Sequence, residues 1–433
     1  MKRLVVTCAL LACGFVHAFE IVIDRGIDTL TPIAVVPFRI YENAVDITPI
    51  INADLSSSGQ FRPIDEAIML SLPSSATEVA YQDWRVQAVE YVIVGSVFID
   101  GLGLLVAEFE VIDINDERVL QAAQVKGSQD DPRALAHHVS DEIFRAITNL
   151  PGAFSTQVAY VLVENRNQID ERFTLKISDF DGGREVDLIV SQQPILSPAW
   201  APDGRQLAYV SFAEGGSTIY LLSLDTGQIE KLASFEGINS APAFSPDGSQ
   251  VAMVLSRDGN PDIYTIELAT NVIRRITDHR AIDTEPVWEL NSKSLLFTSD
   301  RGGSPQIYRV DVDSLRVSRL TFDGSYNARP RVMPDSEHFI FVHRSPRGFH
   351  IAWRDLAGNR APRILSSNVL DESPSVAPNG VMMMYSTKTD GKGILSIVSV
   401  SGEVEYKLTS SLGDMLEPAW SPYLPLTTTL VER

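Results

Sequence analysis

Ser197-Pro198-Ala199-Trp200-Ala201-Pro202-Asp203-Gly204 returns as Ala241-Pro242-Ala243-Phe244-Ser245-Pro246-Asp247-Gly248 and closes as Glu417-Pro418-Ala419-Trp420-Ser421-Pro422. The prolines Pro198, Pro242, Pro286, Pro330, Pro374 and Pro418 stand 44 residues apart through five consecutive intervals. A fixed period of this size marks a repeat architecture. Other phases keep the step: Tyr209, Met253, Phe297, Phe341 and Tyr385, then Leu232, Ile276, Leu320, Ile364 and Leu408. Each unit holds about four short apolar runs separated by turn signals, as in a four-stranded propeller blade. In Pro246-Asp247-Gly248 the proline presets φ and glycine takes a conformation other residues resist. Helical solenoids have similar periods but do not tolerate such turns every few residues.

The ends of the array count the blades. Five full units begin near Ser197, Ala241, Glu285, Arg329 and Ser373, and the sixth, at Glu417, has one strand only. Its missing strands match Ala159-Tyr160-Val161, Leu175 and Leu188, ahead of the first full unit. The spacing therefore predicts an all-β six-bladed β-propeller over 153–433, closed by the C-terminal strand. Truncation before Glu417 is expected to open the ring.

Working back towards the N-terminus, residues 1–18 read as a signal peptide. Lys2-Arg3 is a charged start, Leu4 to Phe15 an apolar core, and Val16-His17-Ala18 a cleavage site. Leu10-Leu11-Ala12-Cys13 offers a competing lipoprotein-type box, which would lipidate Cys13, but Leu11 fits it poorly. Both cysteines, Cys8 and Cys13, lie in this segment, so cleavage at Ala18 leaves no disulfide or thiolate metal site. It also takes the net charge from −20 to −22 by removing Lys2 and Arg3. That acidity argues against nucleic acid or an anionic membrane as partner. No later stretch approaches ~20 apolar residues, so no stable membrane insertion is expected. A soluble, exported monomer follows.

Residues 19–30 carry Phe19, Glu20, Ile21, Val22, Ile23, Asp24 and Asp28 in an alternating pattern. It suits either a frayed terminus or edge strand, or an arm that adds to a partner's sheet. Residues 31–152 read as an α/β domain. Ile33 to Phe38 is a buried strand, and Ile47, Ile50, Ile51 and Leu55 follow helical spacing. Val79 to Val89 is a second helical stretch, and Tyr91 to Ile99, Leu104 to Ile112 and Val119 to Val125 are strands. Asp131-Pro132 starts a last helix, and Leu150-Pro151-Gly152 ends the domain. His137 and Asp141, at i and i+4, are expected to pair on that helix surface.

Catalytic, cofactor-binding and metal residues are all expected to be none. A G-x-S-x-G nucleophile elbow does not occur, and no glycine-rich phosphate loop follows a strand. His279, His338, His343 and His350 lack ligand spacing and read as surface or turn residues. Asp179-Phe180-Asp181-Gly182 lacks the later ligands of a calcium loop and reads as a turn. A propeller without chemistry offers a face or a channel mouth to a partner. The variable segments before each repeat proline, with Asn239, Arg329, Asp371 and Glu372 among their residues, are the candidate rim.

With these motifs assembled, the chain resembles the TolB family of the Tol-Pal envelope system of Gram-negative bacteria. The likeness rests on Ile21-Val22-Ile23-Asp24, Ile33-Ala34-Val35-Val36-Pro37-Phe38, Gly152-Ala153-Phe154 and the six repeats ending Pro418-Ala419-Trp420-Ser421-Pro422. It implies an α/β domain before a six-bladed propeller, and a non-catalytic periplasmic adaptor that maintains outer-membrane integrity and constriction during division. It also implies that the propeller mouth binds Pal, the peptidoglycan-associated lipoprotein, and that the arm binds TolA. Other outer-membrane proteins are further candidate partners. The family's Pal contacts fall here on Ile238, Ala241, Thr284 and Glu285, with Ile238 where the family usually has histidine. The competing expectation is a periplasmic hydrolase or glycan-binding propeller.

Overall fold

A computed structural model describes residues 20–22, 30–41, 43–358, 360–400 and 405–432. The expected signal peptide, its two cysteines, and Phe19, Ile23, Asp24 and Asp28 of the arm lie outside the described residues.

The repeats build six sheets, and in five of them the four repeat strands follow sequence order outward from the axis. Blade 1 runs Ile195–Trp200, Gln206–Ser211, Thr218–Ser223 and Ile229–Ala233. Blades 2, 3, 4 and 5 start at Asn239–Phe244, Asp283–Trp288, Asn327–Val332 and Glu372–Val376. In blade 6 the late strand Gly413–Trp420 pairs with Gln157–Glu164, followed by Arg172–Asp179 and Val186–Ser191. This is the expected closure. Blades are also stapled to one another at the axis: Trp200 Nε1 donates to the Ala419 carbonyl at 2.9 Å and Trp288 Nε1 to that of Ala243 at 3.1 Å. At the blade turns Gly248 has φ 71°, and Asp247 accepts from the Ser249 amide at 3.0 Å, so Asp-Gly holds the turn from both sides.

The N-terminal domain is a mixed sheet with α1 (Thr48–Ser57) and α3 (Pro132–Thr148) packed on one face and the short α2 (Tyr81–Val86) on the other. Thr31–Val35 lies parallel to both Phe61–Pro63 and Tyr91–Ile99, and Leu105–Asp113 and Arg118–Gly127 continue the sheet antiparallel. Asp131 caps α3 by accepting from the Ala134 amide at 3.0 Å, with Pro132 at its first position. α2 is shorter than the stretch expected over 79–89. A 3-10 turn at Ala76–Glu78 precedes it, and Ala88, at φ 53°, breaks it.

Two chain ends depart from the simple two-domain order. Glu20–Val22 adds antiparallel to Glu405–Leu408, the outer strand of blade 5, which among the described residues is the one blade with a fifth strand. Thr429–Glu432 leaves the propeller and pairs with Arg118–Gly127 of the N-terminal sheet.

The two domains share one core. Phe61, Phe144, Phe154, Phe180 and Trp420 form a run of ring contacts, 5.7–6.2 Å apart, from the N-terminal sheet to the closing strand. Polar groups complete the seam. His137 Nδ1 lies 2.8 Å from Asp54 on α1, and its Nε2 lies 3.6 Å from Asp179 on the blade 6 turn. Burial opposes a charge on His137, but Asp54 and Asp179 overcome it and push the imidazole up to about 10. The expected His137–Asp141 surface pair is therefore corrected: His137 is buried at the seam. Asp141 instead accepts from the Phe154 and Ser155 amides, at 2.7 and 3.1 Å, clamping the linker to α3. A Cβ at Gly152 would overlap Asp141, which is why the linker has glycine there.

Candidate functional site

The inner strands run from one mouth of the ring to the other. Their C-terminal ends face the N-terminal domain, where Trp420 Nε1 bonds Thr156 and the Gly204 turn meets Leu424. Their N-terminal ends form the other mouth. Because the period has no slip, each position along these strands makes a ring of six side chains, one per blade.

The outermost ring is apolar in four blades: Ile238, Ile282, Tyr326 and Leu370. Ile238, Ile282 and Leu370 are 45%, 49% and 42% exposed, a solvent-facing apolar rim of the kind that marks interaction sites. Tyr326 is steadied edge-on by Phe349, 5.3 Å away.

One residue inward lies a ring of structural Asn and Asp. Asn239, Asp283, Asn327 and Asp371 are buried and bond to the protein itself, although one carboxylate oxygen each of Asp283 and Asp371 has no hydrogen-bond partner. Asn239 Nδ2 donates to the Phe235 and Ser217 carbonyls, Asp283 pairs with Arg301 at 2.6 Å, and Asp371 accepts from Ser366 Oγ at 2.5 Å. Asn239 and Asp371, expected at the rim, are thus turn fasteners without an exposed face. Burial pushes the Asp371 carboxyl up to about 6. His350 is also buried, 4.0 Å from Asp371, not at the surface or in a turn. His338 stacks on Trp353 and His343 bonds Asn327, so these histidines serve local packing.

The third ring is a collar. Ser197, Ala241, Glu285, Arg329, Ser373 and Glu417 each precede a repeat proline, and all six have φ between 48° and 55°. Each sits at a bulge, where the pairing of its inner strand shifts register. The kink turns these side chains into the channel. Arg329 Nε bonds Glu285 at 3.0 Å, and its Nη1 bonds Glu417 at 3.1 Å and also Ser373. Thr298 Oγ1 donates to Glu285 at 2.8 Å, and the Ser197 amide to Glu417 at 3.2 Å. Burial disfavours ionised Glu417, yet the Arg329 guanidinium wins and holds its carboxyl below the usual range. One guanidinium therefore ties blades 3, 4, 5 and 6 across the axis.

The structure brings Ile238, Ala241, Thr284, Glu285 and Arg329 together at this mouth, with Glu372 exposed beside it. Ile282, Leu370 and Glu417 fall in the segments expected to rim the mouth, although the sequence singles out none of them as a contact. Reading the 44-residue phase one residue at a time would have set them in rings. Of the expected arm, Glu20–Val22 pairs with blade 5 as described.

Among the described residues one acidic-histidine group has metal-like spacing, Asp54, His137 and Asp181. Arg133 already occupies Asp179 and Asp181, at 3.1 and 2.5 Å, and Arg184 joins Asp179 at 2.6 Å, so the chain's own cations neutralise it. Among the described residues no helix is long and apolar enough to cross a membrane.

Comparison with known proteins agrees with this architecture. Profiles of the TolB amino-terminal domain and the TolB beta propeller domain match residues 19–120 and 144–424. The Tol-Pal system protein TolB of Pseudomonas aeruginosa is 52% identical over 96% of this chain and 97% of its own length. That of Pseudomonas putida is 50% identical over 97% and 98%. The crystal structure of TolB from Acinetobacter baumannii superposes with a TM-score of 0.87 at 37% identity, covering 94% of this chain and all of that one.

Proposed function

Because the chain belongs to the TolB family of Tol-Pal system proteins, we propose that it is a non-catalytic adaptor of that envelope system, working in the periplasm. The mouth away from the N-terminal domain docks Pal, and the N-terminal arm engages TolA. Through these contacts it maintains outer-membrane integrity and constriction during cell division.

The observation that carries the reading is the exposed apolar rim of Ile238, Ile282 and Leu370 above a charged collar. An apolar anchor ring with polar groups at its centre suits a protein partner better than a sugar. Ile238→Asp is exposed enough to leave the fold intact and places a charge in the proposed contact. Pull-down with Pal should fall about tenfold or more; binding equal to that of the parent would remove the mouth as the Pal site. For the arm, deletion of residues 19–30 should abolish TolA binding, and retained binding would sink that assignment.

A further inference from the structure

Beyond the collar the channel continues into a chamber whose composition is unlike the mouth. The cavity, about 470 Å³ in all, starts at the collar and extends to the Pro202 and Pro246 turns. Its first ring, two residues past the collar, is Ala199, Ala243, Val287, Arg331, Ser375 and Ala419: five small neutral side chains and one guanidinium. The next ring is Trp200, Phe244, Trp288, Val332, Val376 and Trp420, wholly apolar or aromatic. The indole N–H groups of Trp200, Trp288 and Trp420 are already bonded to Ala419, Ala243 and Thr156. The Trp200 ring is left as apolar wall, while Trp288 and Trp420 are almost wholly buried, Trp420 against Phe180.

Arg331 is the odd group in this setting. A guanidinium carries five N–H donors. Among the described residues Arg331 makes one hydrogen bond, from Nη1 to its neighbour Pro330 O at 2.8 Å, and no ion pair. The nearby carboxylates are committed elsewhere. Both oxygens of Glu285 accept from Arg329, and Thr298 adds to one of them. Both oxygens of Glu417 are held by Arg329, Ser373 and the Ser197 amide. Burial and the neighbouring Arg329 charge depress the Arg331 pKa, and Glu285 and Glu417 offset them in part through space, without a hydrogen bond or ion pair to the guanidinium.

An apolar cavity with one convergent charged group is the usual form of a small-ligand site, and its size fits. We propose that the chamber binds a small organic anion, an aromatic or short aliphatic carboxylate. The carboxylate sits on Arg331 as a bidentate partner and the apolar body lies against Trp200 and Phe244. This site is separate from the rim at which a protein partner would dock.

Benzoate is the probe, with benzamide as its neutral counterpart, followed by calorimetric titration of the full chain at low salt. Benzoate should bind saturably and benzamide should not. Arg331→Gln should weaken benzoate about tenfold or more, the scale of a charged hydrogen-bond pair, and Arg331→Lys should restore part of it. Ala199→Leu narrows the same chamber without touching the guanidinium and should also reduce binding, which keeps the test decisive if Arg331→Gln melts early. Absence of saturable benzoate binding, equal binding of benzamide, or undiminished binding by both Gln and Leu variants would overturn the proposal.

Discussion

Ala241 shows how much a single backbone angle decides here. It has φ 48° without being glycine, as do its five counterparts around the collar. A left-handed non-glycine residue costs about 1–2 kcal/mol, and strain of this kind persists where surrounding structure over-determines it. In Glu285, Arg329 and Glu417 the side chain it aims into the channel makes the collar. Ala241 has no such side chain, so Ala241→Gly should raise stability by about 0.5–1 kcal/mol, after the extra entropy of glycine, measured by urea unfolding. A loss of stability would mean the angle is unstrained. Asp371 gives a second test at this scale. Its pKa rises from 3.8 to about 6 on folding, so the folded chain holds the proton longer. The stability this group contributes is full below about pH 4 and is lost as pH climbs towards 6. Asn239 and Asn327 fill the same ring position without a charge. Asp371→Asn should therefore gain on the parent across that window, by on the order of 2–3 kcal/mol at pH 8. Parallel stability profiles would refute the buried-charge account.

At the scale of elements, α3 is the piece that joins the domains. One of its faces packs on the N-terminal sheet, while His137 reaches Asp54 on α1 and Asp179 on the blade 6 turn. Removing one member of a buried ionic group leaves uncompensated charge. His137→Ala should thus cost about 3–5 kcal/mol, seen in calorimetry as an N-terminal transition separating from that of the propeller. The sign with pH follows from the raised imidazole. Its contribution is full below its ordinary 6.5 and is lost as pH rises towards about 10. The helix itself was legible from Asp131-Pro132 and the apolar stripe. Its partners were not, because Asp54 and Asp179 lie 83 and 42 residues from His137 in the chain and no local pattern links them.

At the scale of the whole molecule, the chain end serves two sheets in turn. Gly413–Trp420 closes the propeller, and Thr429–Glu432 then edges the N-terminal sheet. Two truncations should separate these roles. Ending the chain before Gly413 exposes the edge of Gln157–Glu164, and aggregation on refolding is the expected result. Ending it after Leu426 leaves the ring closed and should loosen only the domain seam, read as faster amide exchange across 118–127. Equal exchange in that segment would show the terminal strand to be dispensable.

Periodicity alone determined six blades, their closure and the α/β domain ahead of them. Each follows from near-neighbour rules of apolar spacing and turn chemistry that repeat along the chain. What only the tertiary structure decided is where the side chains of each ring point and what they meet. Residues 44 apart become neighbours when the blades close, and a bulge of one residue then chooses between turn fastener and channel collar. That is why Asn239 and Asp371 look like rim residues in the sequence yet are buried, while Glu417, on the closing strand, meets Arg329 across the axis.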